Sequence, residues 1–262
     1  MKNKFKSIIL FFLNIVANIF YKKNKAVILL YHSIDKNDVY LTLKPDIFIR
    51  QMNYLKERDY KIISLANLCK IIESNKEIEP KTVVLTFDDG FLSHYKNVFP
   101  ILKKCNFPAT FFISTSLVGK NIDNIQKKPQ LSASWDQLIE MSKSLLIDIE
   151  PHGINHLELD VLSTDELHQQ IIESKKEIEY RLNKKCVFFA PPRGKYNKKV
   201  IDLVKGYGFE AMLTIEEGAV DGGGDLFALK RNTIDSSCVN MIQFRARLGQ
   251  GIVLFNKLMF RG

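Results

Sequence analysis

A single-domain α/β fold with a mostly parallel sheet is predicted by three features of the 262-residue chain. Its apolar runs are short and continuous rather than alternating in polarity, helical stretches separate them, and no Ser/Gly linker divides them. Continuous Val, Ile, Leu and Phe runs are what strands covered on both faces require, since neither face meets water. Repeated alternation of strand and helix leaves two arrangements open, a closed barrel and an open wound sheet.

The first element stands apart from the rest. Ser7 to Tyr21, SIILFFLNIVANIFY, is apolar except for Ser7, Asn14 and Asn18 and lies between lysine clusters. It falls short of the ~20 residues a spanning helix needs. A helix lying in a membrane interface, its lysines on anionic head groups, fits this pattern. An uncleaved signal-like anchor and a core helix are the alternatives, because no small-x-small cleavage site follows. Residues 1–25 are therefore read as an N-terminal apolar and basic helix, and residues 26–262 as the domain.

Within that domain the predicted strands are Ala26 to Tyr31, Thr82 to Phe87, Ala109 to Ser114, Leu145 to Glu150, Cys186 to Ala190 and Glu210 to Thr214. The predicted helices are Ile47 to Tyr60, Leu65 to Glu73, Tyr95 to Cys105, Trp135 to Ser144, Thr164 to Asn183 and Lys198 to Gly206. Ser163 followed by Glu166 is a capping-box start for the longest helix. Gly222 to Gly224 marks a loop.

Charge and cysteine content exclude several classes. The net charge is +9, but six lysines (Lys2, Lys4, Lys6, Lys22, Lys23, Lys25) lie in the first 25 residues with no acid among them, which leaves the rest at +3. No basic groove interleaved with aromatics appears, so nucleic acid is not an expected partner. The four scattered cysteines contain no C-x-x-C pair, which argues against a disulfide framework and against a thiolate zinc site.

In parallel α/β folds chemistry collects in the loops after the carboxyl ends of strands. Four predicted strands end in polar clusters: Tyr31-His32-Ser33, Asp88-Asp89-Gly90, Pro151-His152-Gly153-Ile154-Asn155-His156, and Pro191-Pro192-Arg193-Gly194. Singly, each has an ordinary explanation as a turn, a surface histidine, a half-buried histidine or a stiff loop. Jointly, one carboxylate and two imidazoles make a metal-binding set that leaves positions for water and substrate.

The sequence TFDDG (Thr86 to Gly90), the later H-x-x-x-H (His152, His156) and the P-x-G loop resemble the polysaccharide deacetylases of carbohydrate esterase family 4, the NodB homology domain. The resemblance covers Ala26 to Arg231, and LLYHSI, LTIEEGAV and LFALKRN are similar to the branch that deacetylates poly-N-acetylglucosamine and related surface glycans. It implies a distorted (β/α)7 barrel and a metal-dependent hydrolase that removes an N-acetyl group from an amino sugar. By the same resemblance Asp88 is the catalytic base, and Asp89, His152 and His156 hold a divalent metal, zinc, with cobalt or nickel as alternatives. The loop containing Pro192 and Arg193 would face the oxyanion with a backbone N–H, that of Arg193.

The chain departs from the family pattern in three places. The usual late L-x-H motif is missing, since Asn256 follows Gly251 to Phe255 and no histidine occurs after His168. The early Y-H motif makes His32 the candidate proton donor. Ala190 stands where an arginine usually orients the base and Arg193 where an aromatic is usual, so Arg231 is the candidate for the orienting role. Gly153 stands where Ser or Thr is usual.

The C-terminal run MIQFRARLGQGIVLFNKLMFRG is either a second amphipathic basic segment or a helix closing the barrel. With both ends at a membrane surface, the expected partner is an N-acetylated glycan or a lipid-linked sugar at the cytoplasmic face of a bacterial inner membrane, with a signal-anchored outer-face location as the alternative. Two other functions compete: an inactive relative that binds glycan, and another metal-dependent hydrolase on the same barrel.

Overall fold

The computed structural model describes residues 24–39, 41–122, 128 and 130–249, together with 9 and 13. The expected N-terminal helix, apart from 9, 13, 24 and 25, and the C-terminal residues 250–262 lie outside the described residues. Among the described residues no helix is long and apolar enough to cross a membrane.

The strands are β1 (Val27–Tyr31), β2 (Lys61–Ile62), β3 (Thr82–Phe87), β4 (Ala109–Ile113), β5 (Asn121–Ile122), β6 (Gln130–Leu131), β7 (Ile147–Pro151), β8 (Phe188–Phe189), β9 (Ala211–Met212) and β10 (Asn232–Ile234). A parallel sheet runs in the order β10-β1-β3-β4-β7, with β2 on the amino end of β3, while β8 and β9 form a separate parallel pair. Two seams join that pair to the sheet. At one, the Ala190 N–H donates to the Pro151 carbonyl at 3.4 Å and the Glu150 carboxylate accepts the Val187 and Phe188 N–H groups at 3.0 Å each. At the other, Leu213 bridges Leu229 and the Thr214 N–H donates to the Leu229 carbonyl at 2.8 Å. The seven strands β1, β3, β4, β7, β8, β9 and β10 thus go round as a distorted barrel whose ladder is interrupted at both seams.

The helices are α1 (Pro45–Glu57), α2 (Leu65–Glu73), α3 (Phe99–Cys105), α4 (Trp135–Ser142), α5 (Thr164–His168), α6 (Ser174–Leu182), α7 (Lys198–Gly206) and α8 (Met241–Leu248). Side-chain caps fix their starts: Ser64 accepts the Asn67 N–H, and Ser134 with Gln137 and Ser163 with Glu166 form capping boxes. The helix expected from Tyr95 to Cys105 begins instead with a π-type turn, His94–Val98, and the one expected from Thr164 to Asn183 is divided by another, Gln169–Glu173. Asn183, in the left-handed region at φ 50°, ends α6. Strands expected at Cys186 to Ala190 and Glu210 to Thr214 shrink to the pairs β8 and β9, because their flanking residues bridge the two seams.

Pleating sorts the strand residues between two packed layers. Val27, Leu29, Tyr31, Val83, Leu85, Phe87, Ala109 and Phe111 join the helices in one core. Ile28, Val84, Phe112, Phe188, Ala190, Ala211 and Leu213 meet inside the ring, together with Leu65, Leu68, Cys69 and Ile72 of α2. The same parity carries outward past the strand ends. His32 continues Ile28 and Leu30, Asp88 continues Val84 and Thr86, and His152 follows Glu150, so all three stand at the carboxyl mouth of the ring. Beneath them Phe87 stacks between Tyr31 (5.2 Å) and Phe111 (4.7 Å), a rigid footing for the loop that carries the aspartates.

Candidate active site and metal centre

A cleft of about 490 Å³ opens at this mouth and is lined by His32, Asp88, Asp89, His152, His156 and Arg193, with Leu30, Leu41, Phe91, Ile122 and Ile215 as its apolar walls. Five residues from three separate stretches of the sequence therefore meet with Arg193 in one space. Of the pair expected to face the oxyanion, Arg193 lines the cleft, whereas Pro192 is buried with its ring beside Gly153.

Asp89 Oδ1 lies 3.2 Å from His156 Nε2 and 3.6 Å from His152 Nε2. One ligand atom from each of the three residues falls within 4.8 Å of the others. Bonds of ~2.0–2.2 Å to a four-coordinate ion put neighbouring ligand atoms roughly 3.3–3.6 Å apart, so the spacing suits one divalent cation. Asp89 Oδ1 is buried and has no hydrogen-bond partner among the described residues, which leaves a lone pair for such an ion. The residues present fit the metal that the resemblance implies.

The imidazoles are prepared for the same task. His152 Nδ1 is 2.6 Å from the Ala190 carbonyl, which can only accept, so the ring proton sits on Nδ1 and the Nε2 lone pair faces Asp89. Burial pushes the His152 pKa down to about 4, against the pull of Asp88, and keeps the ring neutral. At His156 burial also lowers the pKa, but the Asp89 carboxylate outweighs it and the net shift is upward. For Asp89 itself burial raises the pKa, and contact with His156 more than reverses this and holds the carboxyl well below the usual range.

Three side chains without any motif signal hold the histidine loop. Gln170 Oε1 accepts the Ile154 N–H at 3.0 Å and the Asn155 N–H at 3.4 Å. Ser114 Oγ donates to the His152 carbonyl at 2.9 Å, and Ser116 Oγ to the Ile154 carbonyl at 2.8 Å. Gly153 lies at φ 76°, and a Cβ there would sit 3.3 Å from Gln170 Oε1. The missing hydroxyl at this position therefore follows from the backbone conformation and the close approach of Gln170.

Asp88 is buried and bidentate to Arg231, with Nη1 to Oδ1 at 2.7 Å and Nη2 to Oδ2 at 2.8 Å. Arg231 is 0% exposed, donates its Nε–H to the Thr214 carbonyl at 2.8 Å, and lies over the Phe112 ring at 5.6 Å. Burial raises the Asp88 pKa, but the guanidinium and, to a lesser degree, His152 bring it below the ordinary value. Asp88 Oδ2 stands 4.0 Å from His152 Nε2, beside the candidate metal triad and outside it.

Comparison with known proteins places these features. Residues 75–212, just over half the chain, match the polysaccharide deacetylase family, a stretch that holds both aspartates and both histidines but neither His32 nor Arg231. The Bacillus subtilis protein YxkH, named after this family, is 30% identical over 210 residues, covering 80% of this chain and 71% of that protein. The poly-beta-1,6-N-acetyl-D-glucosamine N-deacetylase of Staphylococcus epidermidis is 29% identical over 238 residues, covering 80% and 79%. Among solved structures, the Streptococcus pyogenes deacetylase PplD in complex with acetate superposes with a TM-score of 0.71 at 26% identity, over 81% of this chain and 93% of that one. IcaB from Ammonifex degensii, at 22% identity, shares the fold with a TM-score of 0.76 over 86% and 97%.

Proposed function

This chain belongs to the polysaccharide deacetylase family, the carbohydrate N-deacetylases, and we propose that it removes the N-acetyl group from amino sugars of a cell-envelope glycan with a divalent cation, zinc, held by Asp89, His152 and His156. The observation that carries this reading is the convergence of those three residues beside an arginine-clamped Asp88 in one cleft. A cation bound there supplies Lewis acidity: it polarises the amide carbonyl and lowers the pKa of water.

The remaining chemistry falls to the chain's own side chains. Asp88 takes a proton from the attacking water as the water oxygen bonds to the carbonyl carbon. Arg231 takes one hydrogen bond to each oxygen of Asp88, which lines the cleft, and leaves further lone pairs on both, so the base is fixed in orientation and ionised at neutral pH. The Arg193 backbone N–H is the proposed partner of the developing oxyanion. His32 donates a proton to the nitrogen as the C–N bond breaks, and acetate and a free amine leave.

Similarity to poly-beta-1,6-N-acetyl-D-glucosamine deacetylases supports a substrate of this class. The basic and apolar segment in residues 1–25 supports docking on an anionic membrane surface, where the acetylated sugar would be a glycan or a lipid-linked precursor held near the bilayer. Purified protein loaded with zinc is expected to release acetate from β-1,6-linked N-acetylglucosamine oligomers, and Asp88→Asn to abolish the release. Bound zinc without release from any N-acetylated sugar would sink the reading. A protein lacking residues 1–25 that stays in the membrane fraction would sink the anchor.

A further inference from the structure

The chain that leaves Asp88 and Asp89 turns straight back onto the loop that carries His32. Four side-chain hydrogen bonds join residues 93–97 to residues 32–34. His94 Nε2 donates to the His32 carbonyl at 2.9 Å, and Asn97 Nδ2 donates to the Ile34 carbonyl at 2.7 Å. Ser93 Oγ accepts the Ile34 N–H at 3.2 Å and meets Ser33 Oγ at 3.5 Å. The first turn of this strap is the π-type turn His94–Val98, a local departure found frequently at functional sites.

His94 is an unusual occupant of its position. It is 1% exposed, with the rings of Phe87, Phe91 and Phe111 at 5.5, 5.7 and 5.3 Å. Burial lowers its pKa to about 4, so the ring is neutral; its proton is on Nε2, and Nδ1 has no hydrogen-bond partner among the described residues. A leucine would fill the same cage without the cost of burying an unsatisfied imidazole nitrogen. What the imidazole adds is the bond to His32. The buried Nδ1 of the His32 ring has no hydrogen-bond partner among the described residues, so no bond at that atom fixes the ring and the backbone that carries it matters the more.

We propose that His94 is a positioning residue for His32, clamping its carbonyl so that the His32 ring meets the leaving nitrogen. The inference rests on the reading of His32 as proton donor, and the test separates the two. Deacetylation expels an amine that must gain a proton as the C–N bond breaks. Hydrolysis of 4-nitrophenyl acetate expels a phenolate that leaves with its electron pair and needs none. The ratio of the two rates within one preparation does not depend on how much protein is folded or metal-loaded.

His94→Leu is expected to lower the amide-to-ester ratio about tenfold to a hundredfold, a share of the ~10²–10⁴ that a positioned acid supplies. His94→Gln, whose Nε2–H falls near that of the imidazole, is expected to bring the ratio back to within about threefold of wild type. His32→Ala gives the full drop. Asn97→Ala, which removes a second tie at a half-buried position, lowers the ratio in the same sense and serves where His94→Leu fails to accumulate. If both activities fall together in His94→Leu or Asn97→Ala while His32→Ala lowers the ratio, the clamp is structural only and the inference is overturned. If His32→Ala leaves the ratio unchanged, the donor assignment falls and takes the inference with it.

Discussion

Replacing Arg231 with methionine removes a buried cation and leaves its buried carboxylate behind. Asp88 would lose both charge-assisted hydrogen bonds, 2.7 and 2.8 Å long, and the Thr214 carbonyl would lose its 2.8 Å partner. Breaking a buried ion pair from one side costs about 3–5 kcal/mol, because the remaining charge has neither water nor partner. At roughly 2–4 °C per kcal/mol for a chain of this size, the melting temperature should fall by about 6–20 °C. Asp88→Asn added to Arg231→Met removes the stranded charge, so the double variant should recover a large part of the loss. The coupling between the two sites should then reach about 2 kcal/mol. Urea unfolding of the metal-free proteins measures all four corners of the cycle. Zinc binding by Arg231→Met should persist, since Arg231 touches none of the three proposed ligands, while deacetylation should fall with the loss of the fixed orientation of Asp88, the proposed base. A single variant within about 1 kcal/mol of wild type, or two effects that simply add, would refute the claim that this pair is a buried, mutually dependent unit.

Three further outcomes follow from the geometry. A methyl group at Gly194 would run into Ile215 and would hold a non-glycine residue at φ 62°, so Gly194→Ala should destabilise by about 1–2 kcal/mol and, since Ile215 lines the cleft, raise KM, as urea melts and steady-state kinetics would report. Glu150→Leu should cost about 1–3 kcal/mol for each stranded Val187 or Phe188 N–H, whereas Glu150→Gln, which keeps an acceptor at the seam, should stay within about 1 kcal/mol of wild type in the same assay. Hydrogen bonds from Ser163 hold the Glu166 pKa below its ordinary value, so its capping contribution is present above the usual glutamate range and lost as pH falls through the lowered pKa; the difference in melting temperature between wild type and Glu166→Ala should shrink over that interval.

The parts of the fold that could be read from the sequence were those whose signal is local. Thr82 to Phe87, Leu65 to Glu73 and Lys198 to Gly206 are found where the apolar pattern puts them, because each is a run with a clear start and stop. β10 was missed: Asn-Thr-Ile is three residues long and mostly polar, and it becomes a strand only because β1 offers it a partner. The seams are tertiary in the same sense. No periodicity announces that a glutamate side chain will accept the Val187 and Phe188 N–H groups at the start of β8.

The candidate metal ligands stand out because their spacing is a motif, and the cleft does gather them. Arg231 could be named only because the family's usual arginine position holds alanine; its contact with Asp88 spans 143 residues. His94 and Gln170 carried no signal, since they act through backbone groups of other loops. Strand parity would have helped, because Asp88, His152 and His32 each continue the inward face of a strand.

Calorimetric titration of zinc into metal-stripped protein probes the core of this account most directly. One ion per chain should bind to wild type and to Asp88→Asn, with affinity reduced more than about a hundredfold in Asp89→Ala, His152→Ala and His156→Ala, beyond what loss of an outer-shell contact produces. Absence of stoichiometric binding, or a wild-type affinity that survives removal of Asp89, would contradict it.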